Sequence, residues 1–138
     1  ASVDLFHVVD DPSGTPINKK ITAEDVFNNI PTWIGLNSTS QAITGDGSTS
    51  TAIEITNAVT EVNATSAGAP CTLADGANGQ IKTIINVSTS GTNAVTITPS
   101  NLRGFTSATL NAPGETVTLM FKNSNWNVIG TGGTVVLA

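Results

Sequence analysis

Side chains that carry chemistry are scarce in this chain. It has one histidine, one cysteine, one methionine and no tyrosine, and charged residues make up only 11% of it. A single cysteine, Cys71, excludes an intrachain disulfide and gives no zinc-ligand spacing, so a buried, inert thiol is expected. With one imidazole, a nucleophile–base pair would have to join His7 to Cys71 or to a serine far along the chain. The carboxylates are few, and none forms a recognisable acid–base pair. No Gly-rich loop runs into a Lys-Ser or Lys-Thr pair, so no phosphate cradle is expected. The composition therefore points away from an enzyme, and no cofactor is expected.

Other absences narrow the partners. Five Lys and Arg residues (Lys19, Lys20, Lys82, Arg103 and Lys122) are scattered, and the net charge is −5. A chain of that balance has no basic stripe for nucleic acid. No run of about 18 apolar residues is present to span a membrane. The leading "ASVDLFHVV" has neither a basic stretch nor a small-residue cleavage site, so no secretory signal is expected. His7, Asp10 and Asp11 lie close in sequence, but they read as the end of a strand beside a solvated acidic pair, and no metal is expected there. "TGDGST" and "ADGANGQ" lack the repeated ligands and closing Glu of a calcium loop and read as turns. Three Asn-x-Ser/Thr triplets, at Asn37, Asn63 and Asn86, are what chance supplies in a chain rich in these residues.

What is present is Thr, Ser and Asn on a weakly apolar background, with a mean hydropathy of +0.12. That is not the composition of disorder. At 138 residues the chain suits one domain, or a small domain with an arm. Residues 1–36 stand apart. "VDLFHVVDD" reads as a strand and "DPSGTP" as a turn. "TAEDVFNNIP" is the one helix candidate, with Thr22 as N-cap, Glu24 and Asp25 in the first turn, and Pro31 as the stop. This segment is too short to bury its own apolar residues. Leu5, Phe6, Val26, Phe27, Ile30 and Trp33 are accordingly candidate anchors on a partner surface. Residues 37–51, rich in Ser, Thr and Gly, read as a linker or long surface loop.

From residue 52 to 138 the apolar pattern has period two. About seven short strands are separated by Gly, Pro and Asn, which predicts an all-β, antiparallel β-sandwich, jelly-roll-like. "TLADGANGQIKTII" and "TLNAPGETVTLMF" match each other: a Thr-Leu pair, a Gly-containing break, one polar residue, then an alternating strand. Both read as tight corners leading into core strands, with Gly76, Gly79 and Gly114 supplying the backbone freedom. Two copies are too few to indicate a solenoid. Trp126, on an alternating strand, and Trp33 read as packing residues rather than sugar platforms.

The stretch from Cys71 to Gly133, with "TLADGANGQIKTIINVSTSG" and "VTITPSNLRGFTSATLNAPGETVTLMFKNSNWNVIGTGG", resembles segments of small virion proteins of tailed bacteriophages. "VVDDPSGTPINKKITAEDVFNNIP" is similar to the leading segments of phage appendage proteins, in which a "KKIT" strand precedes a docking helix. The resemblance implies a β-sandwich protein, commonly trimeric, on the phage particle. Among phage roles, the absence of a long repetitive shaft implies a capsid decoration (cement) protein. It would sit on the outer surface of the head, with the major capsid protein and further copies of itself as partners. The alternative is a head- or tail-fibre module that binds host surface glycans.

Overall fold

A computed structural model describes residues 5–10, 14, 17–22, 40–66, 68–91 and 93–138. The chain divides into two compact units, Ala1–Thr32 and Trp33–Ala138. In the first, strands β1 (Leu5–Asp10) and β2 (Ile17–Thr22) pair antiparallel, with Leu5 opposite Thr22 and Asp10 opposite Ile17. The arm expected to be extended thus holds a hairpin. The two strands are joined through residues 11–16, of which only Gly14 is among the described residues. The helix expected after Thr22 lies outside the described residues.

The second unit is built of β3 (Gln41–Gly45), β4 (Thr51–Ile53), β5 (Val59–Ala64), β6 (Ala69–Leu73), β7 (Ile81–Asn86), β8 (Val95–Pro99), β9 (Ala108–Leu110), β10 (Thr116–Lys122), β11 (Asn125–Gly132) and β12 (Val136–Leu137). They form two five-stranded sheets, ordered β11-β10-β7-β5-β3 and β12-β9-β8-β6-β4. Among the described residues every regular element is a strand.

The all-β expectation holds, but the antiparallel one is corrected. From β3 to β8 the chain changes sheet at every corner, so each strand returns to its own sheet in the same direction. The neighbours β3–β5, β5–β7, β4–β6 and β6–β8 are therefore parallel. These strands make three stacked coils, β3–β4, β5–β6 and β7–β8. Only then does the chain reverse, and β9, β10, β11 and β12 extend both sheets antiparallel. Residues 37–51, read as a linker, contain β3 and the start of β4, with Ile43 in the core. Flanking Ser, Thr and Gly hid a five-residue strand whose apolar alternation is only two residues deep.

Inward residues of both sheets share one core: Ile43, Ile53, Val62, Ile84, Val95, Ile97, Leu110, Val117 and Leu119 among others. The core tapers. At one end Gly45, Ala64 and Ala69 line it, and a Cβ on Gly45 would sit 2.6 Å from that of Ala69. At the other end lie Leu73, Phe121 and Trp126. The Trp126 indole is fully buried, stands edge-on to Phe121 at 5.2 Å, and donates its Nε1–H to Ala74 O at 2.9 Å. It is the packing residue that its place in the alternation predicts.

Gly76 lies against this indole. A Cβ there would come within 2.5 Å of Gln80 Oε1 and 2.9–3.0 Å of the Trp126 ring. Gly76→Ala should therefore destabilise the fold by about 2 kcal/mol, an overpacking cost. Gly91→Ala, where nothing lies within 4 Å, should be near neutral. Urea unfolding followed by tryptophan emission measures both.

Candidate functional site

Parallel coils create a specific demand. Each corner leaves one sheet for the other across the rim of the core, and its carbonyls lose the ladder partners that a hairpin would keep. The first such corner at the wide end, Glu54–Ala58, has no glycine or proline. Three long polar side chains hold it instead. Lys82 Nζ donates to Glu54 O (2.8 Å) and Asn57 O (2.6 Å). Gln80 Nε2 donates to Ile55 O while its Oε1 accepts from Ala77 N at 2.9 Å. Gln41 Nε2 donates to Ala52 O (3.3 Å), and its Oε1 accepts from Glu54 N (2.9 Å) and Thr60 Oγ1 (3.0 Å). Ala52 O and Glu54 N–H are two residues apart, the pair of groups that a neighbouring parallel strand would take. The Gln41 amide stands in for one residue of such a strand.

At the narrow end asparagines do the same work. Asn86 Nδ2 donates to Asn93 O (3.0 Å) and Leu110 O (3.1 Å), and its Oδ1 accepts from Ser88 N (2.9 Å). Asn93 Nδ2 donates to Ala64 O (2.6 Å), and Ala64 N–H donates to Ser88 Oγ (2.9 Å). All three side chains are buried.

The two matching corners share one device. Both run from the second sheet to the first, with Leu73 and Leu110 fully buried at the last strand position. Gly79 (φ +90°) and Gly114 (φ +86°) take left-handed backbone, and the polar residue that follows folds back onto the turn. Gln80 receives Ala77 N–H. Glu115 Oε2 receives Asn111 N–H (2.5 Å) and Ala112 N–H (3.3 Å), and its Oε1 receives Thr134 N–H (2.8 Å). These two residues, each one position after a left-handed glycine, are the functional part of the motif. The sequence shows the polar residue but not that its side chain is buried.

The expected anchors fall unevenly. Leu5 and Phe6 lie in β1, opposite Thr22 and Ile21, while Val26, Phe27, Ile30 and Trp33 lie outside the described residues. Cys71 is buried on β6 with Sγ 3.7 Å from Ala69 O. Among the described residues no group of three His, Cys, Asp or Glu side chains converges on a point. No helix among them is long and apolar enough to cross a membrane. What the second unit presents is a polar framework at each rim, and between the rims two outward sheet faces.

Burial pushes the Cys71 thiol up to about 11. The native protein should therefore resist a thiol reagent at pH 8 and react fully once unfolded in urea. Burial also pulls Lys82 down to about 8 from 10.5, partly opposed by Glu54. The fold thus penalises the charged amine at pH below about 8, and the penalty fades as pH rises toward 10.5. Conformational stability from urea titrations should climb from about pH 8 to 9, above which the raised Cys71 thiol opposes the lysine, and Lys82→Met should remove that climb. The same variant should be less stable at pH 7, because two corner carbonyls lose their donor. No family model matches the chain, and no curated protein matches it either.

Proposed function

We propose that this chain is a structural protein of a tailed-bacteriophage virion. In this reading it is a decoration (cement) protein with a β-sandwich body that binds the outer surface of the head as a trimer and stabilises it. The observation that carries the reading is the division of the chain. Residues 33–138 hold a core of their own, from Ile43 to Trp126. Residues 1–32 form a separate unit and are left to engage the major capsid protein through Leu5, Phe6, Val26, Phe27 and Ile30, with Trp33 at the junction.

The surface chemistry supports an assembly role. Buried groups such as Lys82, Glu115, Asn86 and Asn93 are consumed in closing corners. Trp126 is buried, so it offers no platform for a sugar ring. The stretch that resembles phage virion proteins, Cys71–Gly133, runs from β6 through β11 and includes both glycine corners with Gln80 and Glu115. A cement protein acts by bridging neighbouring capsid subunits. Standard specific contacts bury about 1,200–2,000 Å², and a trimer that engages several subunits at once gains through effective concentration.

The test is a comparison of particles imaged after incubation with the full chain and with a form lacking residues 1–36. The full chain should decorate the head lattice and raise the temperature at which heads release DNA. The shortened form should remain a folded trimer and fail to bind. Full occupancy by the shortened form would remove the docking role from the arm, and absence of the full chain from heads would overturn the assignment.

A further inference from the structure

The central strand β7 is inverted. Its inward side chains are Lys82, Ile84 and Asn86, and its outward ones are Ile81, Thr83 and Ile85. A sheet with one wet face ordinarily puts its apolar residues inside and its polar ones out. Here the corner carbonyls require Lys82 and Asn86 inside, but nothing in a single chain requires isoleucines outside. Register carries the face across the sheet as a mix of apolar side chains and threonines. Ile81 lies opposite Met120, Thr83 opposite Thr118 and beside Val59, and Ile85 opposite Thr116 and beside Glu61. Thr83 and Thr118 hydrogen-bond each other at 3.2 Å, so these hydroxyls already have partners. On the same face Asn63 Oδ1 is the one buried side-chain polar atom among the described residues without a partner.

We infer that the outward face of the β11-β10-β7-β5-β3 sheet is where copies of this chain meet. The inference rests on the trimer of the proposed function and names its contact. Two observations select a second copy as the occupant. The face carries two charges of opposite sign over its three middle strands, Glu61 and Lys122, in a chain of net charge −5, so copies repel less here than through the exposed acids Asp46, Glu54 and Asp75 at the corners. Contacts between like chains are the apolar, charge-poor class, whereas contacts with other proteins are no more apolar than ordinary surface. Five strands at about 4.8 Å, each about 18 Å long, give a plane of roughly 430 Å², against about 800 Å² a side in a standard two-body contact. Such a face suits a closed ring, in which each contact is reinforced by the others.

Met120 is the only methionine and sits on this face, so its oxidation by peroxide in the full chain reads the contact directly. Sedimentation should give a trimer, with Met120 protected at trimer concentrations and oxidised on dilution. Ile81→Lys and Ile85→Lys should each give monomers with native Trp126 emission, and Thr98→Lys, on the other sheet's outward face, should leave the trimer intact. A trimer in which Met120 oxidises as fast as in urea, or one that survives Ile81→Lys, would place the contact elsewhere and leave the decoration reading standing. A monomer that binds heads and loses that binding with Ile85→Lys would make this the capsid-binding face and overturn the inference alone. A monomer that does not bind heads would overturn both. Should the lysine variants fail to fold, Met120 protection in the natural chain decides by itself.

Discussion

The structure depends on keeping corner carbonyls bonded where the chain crosses the rim of its own core. A hairpin corner passes its polar groups to the neighbouring strand, but a coil corner cannot. An unbonded buried carbonyl or amide costs about 1–3 kcal/mol, and the unit has several such corners. Gln41, Gln80 and Lys82 close the wide rim, and Ser88, Asn86 and Asn93 the narrow one. Gln80, Lys82, Ser88 and Asn93 each bond the backbone of an earlier winding or corner, so the coils are linked by side chains as well as by ladders.

This constraint explains the odd composition. A charge-poor chain rich in Thr, Ser and Asn reads at first as surface without chemistry. A part of that polarity, at Asn86, Ser88 and Asn93, is instead interior structure bonded to backbone groups. It also explains why β7 carries polar side chains inward. Its inward positions are committed to the rims at both ends, with only Ile84 left for the core between them. A strand so committed shows its remaining apolar side to whatever lies next to the sheet.

How much of this was legible follows from the same physics. Strands β7, β8 and β10 announce themselves by alternation, and Trp126 and Cys71 were read correctly as buried. The pairing direction was not legible, because parallel and antiparallel strands alternate alike and the coils share no common sequence. Equivalent residues lie 19 apart between β3 and β5 (Gln41 and Thr60) but 24 apart between β5 and β7 (Val59 and Thr83). β3 was lost inside a Ser/Thr/Gly stretch because only Ile43 marks its inward side. The buried lysine defeats any hydropathy rule, since its interior place is set by two carbonyls on a corner 25 and 28 residues earlier.

The side-chain amide of Gln41 has one more implication. It occupies the hydrogen-bonding positions that the next winding would fill, at the edge where β4 has β6 on one side only. A gene that acquired an extra winding ahead of β3 would need only to swing that amide aside, while one that lost its first winding would need a similar plug one layer further on. Length variation among descendants of this architecture should therefore come in whole turns, each ending in a long, neutral side chain that closes the stack.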